Sequence, residues 1–346
     1  MIEGKLALHI EHLKPKIEAL ESIETATVSL GTIAMAKADG EFTLFKYEQG
    51  ESFTVNRYGH YRKDFPALNE ATKALKKAGI QSAEILCELY AVDDKGRAVI
   101  LPEFIKMAKG KQKKLGNLHL GIFDLVAVNG AGCFQDYEWK LLELDSWFEG
   151  CQLVYTLPWT RAVTREILIS FWRKAVEELG YEGLVLRTDR EVVKVKPMMD
   201  VDAVIIAINK VDSTGKPVKR YPEEAVSSIR VALMDSLSRL VVLGDCTVAD
   251  RGVQKALWKL HDIKVEEDSE RVYVHPCAVI QIRFTSMFHG SICEILKYDG
   301  KYQQAGELKF WKMRNPRFMR FRTDKEAVYR DIRLDQVKVG DNDSQS

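Results

Sequence analysis

Long apolar runs are missing from this chain of 346 residues. None approaches the roughly 20 residues needed to cross a bilayer, so no membrane-spanning helix is expected. Cysteine is sparse and scattered: Cys87, Cys133, Cys151, Cys246, Cys277 and Cys293 include no CxxC pair. That excludes a disulfide framework and reads as reduced, buried thiols inside a cell. Neither sign of charge dominates, since 51 Lys and Arg stand against 50 Asp and Glu, a net +1. A nucleic-acid partner would therefore be held by local patches and not by the field of the whole molecule. The opening Met1-Ile2-Glu3-Gly4-Lys5 leads into charged sequence and not an apolar core, so no signal peptide is expected. His9 and His12 are three apart with no further ligand nearby, which reads as two surface histidines.

Hydrophobic residues make up 46% and charged residues 29%, a globular composition. A single core rarely grows past about 250 residues, so the length predicts two domains. Apolar spacing predicts a helix over 5–22, restarting near Pro15, then strands at 25–37, 42–47 and 53–58. Phe65-Pro66 opens a helix to about Lys77, followed by strands at 84–92 and 97–101. Lys106 to Lys114 holds five lysines in nine residues. Beyond it come a strand at 118–128, helices at 136–148 and 164–179, and a short strand near Leu153-Val154. Strands at 183–187 and 191–196 then run to Pro197, the expected domain end. The remainder is strand-rich (201–208, 228–234, 239–243, 271–274, 277–286, 291–297, 306–311) with one helix at 251–261. That pattern fits a small Greek-key barrel of the OB type. The polar tail after Gly340 is expected to be disordered.

Chemistry concentrates at strand ends of the first part. Lys37 closes a β-branched and apolar run and enters the Asp39-Gly40 turn, placing an amine at a rigid strand end. Glu88 lies inside the apolar Ile85–Leu89 segment, where an unpaired carboxylate is costly. Glu182-Gly183 precedes the apolar Leu184-Val185-Leu186. Lys194 and Lys196 fall on one face of a strand, because side chains alternate with period two, so they require an anion or open solvent between them. Each feature alone also fits an ordinary solvated or ion-paired residue.

Taken in order, KxDG, a strand glutamate, Phe-Asp, EG-apolar-apolar and KxK resemble the covalent nucleotidyltransferases: ATP-dependent DNA ligases, RNA ligases and capping enzymes. The resemblance runs over nearly the whole chain. It implies an α+β architecture, with an adenylation domain of antiparallel sheets and flanking helices at 1–198, a C-terminal OB-fold β-barrel at 199–339 and a tail at 340–346. By the same resemblance Lys37 is the nucleophile, with Met35 and Ala36 beside the nucleotide. Glu88 contacts the ribose, Phe123 of Gly121–Leu125 stacks on the purine, Glu182 is linked to metal, and Lys194 and Lys196 face the α-phosphate. Arg57 in Asn56-Arg57-Tyr58-Gly59 is similar to a segment that touches nick and nucleotide. Arg314 to Lys325 is similar to the OB-domain motif of the DNA ligases, which implies that Arg317, Arg320, Arg322 and Lys325 meet pyrophosphate or DNA. Lys109, Lys111 and Lys113 are expected to meet DNA phosphates.

The implied activity is sealing of nicks in duplex DNA with ATP and Mg²⁺, Mn²⁺ being a substitute, by a monomeric, cytoplasmic enzyme with no membrane partner. Lys194 and Lys196 are expected to lower the Lys37 pKa and so free its amine. The runner-up readings are an RNA ligase or capping-type guanylyltransferase, and a non-catalytic nucleic-acid-binding homologue. Three departures stand out. Phe42 occupies the position of the arginine in KxDGxR, with Arg62 or Lys46 as candidate replacements. Met35 replaces a glutamate near the adenine, and no separate DNA-binding domain is read before the catalytic one.

Overall fold

The computed structural model describes residues 18–20, 23, 26, 28–29, 31–99, 101–109, 114–188, 191–212, 214–218 and 224–337. The chain divides into two compact units, Met1–Pro197 and Met198–Ser346.

Two sheets build the first unit. The larger runs Tyr61–Arg62, Glu51–Asn56, Glu41–Glu48, Ser82–Ala91, Leu118–Val128, Ala131–Gly132, all antiparallel, with Val154–Thr156 parallel to Leu118–Val128. Alternation along the strands sends Phe45, Tyr47, Ile85, Cys87 and Leu89 into a core shared with the Pro66–Lys77 helix. The opposite face carries Leu44, Val55 and Leu86, flanked by Phe42, Phe53 and Phe123. The Pro66–Lys77 helix starts on a proline, buries Ala67, Leu68, Ala71 and Leu75, and ends on Lys76 and Lys77, which suit the negative end of its dipole.

The smaller sheet is ordered Glu18–Leu20, Val192–Val195, Gly183–Arg187, Ile33–Lys37, Trp159–Arg161. Ile33–Lys37 ends at Lys37, and four residues later Glu41 starts a strand of the larger sheet. The chain thus crosses between sheets on Ala38-Asp39-Gly40, with Lys37 at the crossing.

Several sequence expectations are corrected. Glu18–Leu20 is a strand, parallel to Val193–Val195, and not the end of a helix; the rest of 5–17 lies outside the described residues. Among the described residues of the run 25–37, the strand covers Ile33–Lys37. Of the strand expected at 97–101, Ala98 forms a bridge with Val92 and Leu101 already starts the Leu101–Lys109 helix, residue 100 lying outside the described residues. The helix expected at 164–179 is α-helical over Arg165–Trp172 and widens to a π-helix over Arg173–Glu178.

The second unit carries a nine-stranded sheet. Met199–Asn209 pairs with Ser228–Met234, which pairs with Leu240–Thr247; Met199–Asn209 also pairs with Val279–Phe284, which pairs with Arg317–Phe321. A single parallel bridge, Thr247↔Arg317, links Leu240–Thr247 to Arg317–Phe321 and returns the pairing to its start. Val204, Ile206, Val231, Val242 and Ile280 fill the core. The Arg251–Trp258 helix is capped by Asp250, whose carboxylate accepts from the Val253 N–H at 2.8 Å. A long hairpin of Ser286–Tyr298 and Tyr302–Arg314 precedes Arg317–Phe321, a strand the apolar pattern did not predict. The tail after Gly340 lies outside the described residues.

Candidate active site

Lys37, Glu88, Glu182 and Lys196 come together between the two sheets of the first unit. Lys37 Nζ donates to Glu182 Oε2 at 2.5 Å, and Lys196 Nζ donates to the other oxygen of the same carboxylate. Backbone pairing fixes this meeting: Gly183 lies opposite Lys37, and the Glu182 N–H donates to the Lys37 carbonyl at 2.7 Å. Lys196 follows Val195, whose partner is Leu184.

Two glycines make the approach. A Cβ on Gly183 would stand 2.1 Å from the Val195 carbonyl oxygen. A Cβ on Gly40 would stand 2.2 Å from the Leu89 carbonyl oxygen. Without it, the Gly40 N–H reaches Glu88 Oε1 at 3.1 Å. Asp39 is buried and turns the other way, accepting from the Leu101 N–H at 2.8 Å at the start of a helix.

These contacts set the charges. Burial alone lowers the Lys37 amine, but Glu182, Glu88 and Asp39 outweigh it and hold the amine above its ordinary value. This corrects the expectation that Lys194 and Lys196 lower it: the Lys196 charge is met by Glu182. Burial raises Glu182, yet Lys37 and Lys196 overcome that and keep its carboxyl below the usual range. Glu88 has no such pair of cations, and burial pushes it up to about 7. In this state the site holds an ammonium and an ionised Glu182.

Met35 and Ala36 are buried in the strand ending at Lys37. Phe123 lies 5.9 Å from Phe42, centroid to centroid. The sequence did not single out Tyr137 and Arg187. Tyr137 donates to the Phe123 carbonyl at 2.6 Å and lies 3.6 Å from Met35 Sδ; the Arg187 guanidinium caps its ring at 3.7 Å. The only signal was that Arg187 ends the strand opened by Gly183. Lys194 lies mid-strand opposite Val185 and forms no ion pair among the described residues. Arg62 is bound by both oxygens of Glu41, and Lys46 meets Glu84 at 2.6 Å, so both candidate replacements for the arginine at Phe42 are paired. Arg57 sits on an exposed turn, while Lys111, Lys113 and the Lys109 side chain lie outside the described residues. A groove of about 660 Å³ lined by Lys46, Phe53, Lys63 and Glu84 contains none of the four convergent residues.

Within the second unit, Arg322 donates to both oxygens of Asp202 at 2.8 and 2.7 Å and to Asp324 at 2.9 and 2.7 Å. Lys325 reaches Asp202 at 2.7 Å. Arg317 and Arg320 are exposed on their strand, Arg320 donating to Gln281 at 2.7 Å.

Oxygen donors suited to Mg²⁺ are present as the carboxylates of Glu182 and Glu88; no group of three or more metal-ligating side chains occurs among the described residues. Mg²⁺ commonly takes one or two carboxylates plus substrate phosphates, so this donor set fits it. No helix among the described residues is long and apolar enough to cross a membrane.

Neither a protein-family profile nor a curated protein sequence matches the chain. Solved structures do. The chain is similar to the one named Pmar-Lig_Pre, with a TM-score of 0.60 at 17% identity over 89% of this chain and 67% of that one. Against Pmar-Lig_PreS3 the TM-score is 0.59 at 17% identity, over 92% and 70%. Against a structure described as "DNA binding with a minimal scaffold: Structure-function analysis of Lig E DNA ligases" it is 0.52 at 15% identity, over 89% and 100%. The chain therefore has the fold of these ligase structures.

Proposed function

We propose that this chain is an ATP-dependent DNA ligase that seals 5′-phosphate/3′-hydroxyl nicks in duplex DNA, built as an adenylation domain followed by an OB-type domain. One observation carries the reading: Lys37 and Lys196 grip the two oxygens of one carboxylate, Glu182, with Glu88 bound to the backbone of the same KxDG turn.

In the first step the Lys37 Nζ lone pair attacks the α-phosphorus of ATP. A P–N bond forms, the α–β bridging P–O bond breaks, and pyrophosphate leaves with its electron pair. The amine must first shed a proton. Glu182 lies in contact to receive it or pass it to solvent, and ATP arriving between the cations loosens the contacts that hold the ammonium. Lys196 and Lys194 then face the negative charge on the transferring phosphoryl group, where positioning and electrostatics supply most of the rate. Glu88 accepts from a ribose hydroxyl, and Phe123 with Phe42 offers an aromatic wall for the base. Glu182 is the group to hold Mg²⁺, which when bound offsets phosphate charge.

Two transfers follow. The 5′-phosphate oxygen at the nick attacks the lysyl-AMP phosphorus and releases the Lys37 amine; the 3′-hydroxyl then attacks the activated 5′-phosphate and AMP leaves. Arg57, Arg317 and Arg320 are the exposed cations we assign to DNA phosphates. Arg322 and Lys325 can meet pyrophosphate only where it displaces the carboxylates that bind them. Incubation with α-labelled ATP and Mg²⁺ should label the protein, GTP should not, and the labelled protein should seal a nicked DNA duplex. A chain that stays unlabelled overturns the proposal.

A further inference from the structure

The turn after Glu51–Asn56 shows two tyrosines to solvent on a rigid frame, and nothing in the chemistry above uses them. Asn56, itself buried, accepts from the Tyr58 and His60 N–H groups at 2.9 and 3.0 Å, and its carbonyl accepts from Gly59 N–H at 2.9 Å. Gly59 takes φ +80°, which closes the turn. Tyr58 is 64% exposed; the Arg57 guanidinium covers one face of its ring at 4.7 Å and donates to its hydroxyl at 2.5 Å. Tyr61 is 39% exposed and leans on Phe53 at 5.2 Å, with the Lys63 ammonium 6.0 Å from that second ring.

A solvent-facing ring braced by an arginine, on a turn whose backbone donates three hydrogen bonds to Asn56, is pre-organised for a flat ligand. From Asn56 to Lys63 the sequence has no carboxylate, and although Arg62 is already bound to Glu41, Arg57 and Lys63 remain to favour a flat, anionic ligand. Position narrows this further: Arg62 at the foot of the turn is bound to Glu41, the first residue of the strand after Gly40. The turn therefore lies at the same end of the large sheet as Gly40 and Glu88.

We propose that Tyr58 is a stacking platform for an unpaired nucleobase of single-stranded DNA, with Tyr61 as a second contact and Arg57 and Lys63 on the flanking phosphates. Stacking on a tyrosine is tolerant of base identity and needs a base free of its partner, so the site favours a single strand over a duplex. The inference rests on the nucleic-acid reading of the chain but not on its chemistry, and the two can fail separately.

The test uses the full chain and a short single strand with one 2-aminopurine, compared with a blunt duplex of the same sequence. Native protein should bind the single strand and quench the 2-aminopurine. Tyr58→Ala should weaken that binding about tenfold, the loss of one stacked base, and abolish the quench. Tyr58→Phe should retain both, labelling by α-labelled ATP should be unchanged in each variant, and duplex affinity, which Tyr58 touches only through Arg57, should fall much less than single-strand affinity. The inference is overturned if native protein does not bind the single strand, if Tyr58→Ala binds it within about twofold of native, or if single-strand and duplex affinity fall together. Loss of labelling in native protein, with single-strand binding intact, would remove the ligase reading and leave this one standing.

Discussion

Lys37 Nζ lies 2.5 Å from Glu182 Oε2, although 145 residues separate them in sequence. The nucleophile candidate is thus held as an ammonium by a carboxylate that two lysines keep ionised. Removing the amine removes the group proposed to form the covalent bond, and Lys196 on the other oxygen of Glu182 does not take its place. Lys37→Ala should abolish labelling by α-labelled ATP, and so should Lys37→Arg, whose guanidinium stays protonated. Gel autoradiography reads both; a labelled Lys37→Ala protein would move the nucleophile elsewhere.

The sign of the Lys37 perturbation predicts a pH profile. A folded pKa above the ordinary value means that the neutral amine is scarce near pH 7, and its fraction grows about tenfold per pH unit until the pKa is reached. The initial rate of adduct formation should therefore climb from about pH 7 to about pH 9. Glu182→Gln removes the nearest carboxylate, so its weaker activity should rise at lower pH than the native profile does. A native profile flat over this range would show that the proton is already gone in the nucleotide-bound state.

Glu88 makes a separate prediction about stability. Burial moves its carboxyl from an ordinary 4.5 up to about 7, so the folded chain favours the protonated form. That stabilisation is complete below about pH 4.5 and is lost as the pH rises through about 7. A displacement of this size corresponds to roughly 3 kcal/mol. Glu88→Gln, which cannot ionise, should match native stability near pH 4.5 and exceed it above pH 7. Denaturant melts at the two pH values decide it; a constant native-minus-variant difference would contradict the burial argument.

The glycines that set the site predict steric failures. Gly40→Ala drives a Cβ into the Leu89 carbonyl at 2.2 Å, so the turn must shift and the N–H bond to Glu88 must lengthen. The obstacle is the backbone of the Ser82–Ala91 strand and not a flexible side-chain end, and destabilisation of about 3 kcal/mol is expected. Gly183→Ala meets the Val195 carbonyl at 2.1 Å and should push away the strand that leads to Lys196. Labelling should fall more than stability in both variants, as read by adduct yield on protein still folded by circular dichroism.

The parts of the fold legible in sequence are those with local causes. Phe65-Pro66 announced the Pro66–Lys77 helix, and period-two alternation found Glu41–Glu48 and Leu118–Val128, because capping and burial pattern act within a few residues. Glu18–Leu20 was hidden: its strand character comes from Val193–Val195, far along the chain, which overrides a helical pattern. Arg317–Phe321 escaped for a related reason, since most of its side chains are exposed and it carries no apolar alternation. At the site, residue types were readable while the direction of the Lys37 shift was not. Two lysines near an amine suggest a lowered pKa only if their charges are free, and the pairing of Lys196 with Glu182 is a fact of tertiary structure.

Phe42 gives the last prediction, because it tests what the missing arginine costs. It pairs with Glu88 across the sheet and packs 5.9 Å from Phe123, so its side chain shares the face that carries the aromatic wall. Neither Arg62 nor Lys46 replaces the absent charge freely, since Glu41 and Glu84 already bind them. Phe42→Arg would add a cation within reach of Glu88 and of any strand laid over this face. One further phosphate contact should tighten nicked-duplex binding at low salt by about tenfold and steepen the salt dependence by about one phosphate. The loss of the Phe42 ring should at the same time weaken ATP use, raising its KM while nick affinity improves. Binding isotherms at two salt concentrations, with adduct formation against ATP concentration, separate the two effects. Unchanged nick affinity in Phe42→Arg would mean that DNA phosphates do not pass over this face at all.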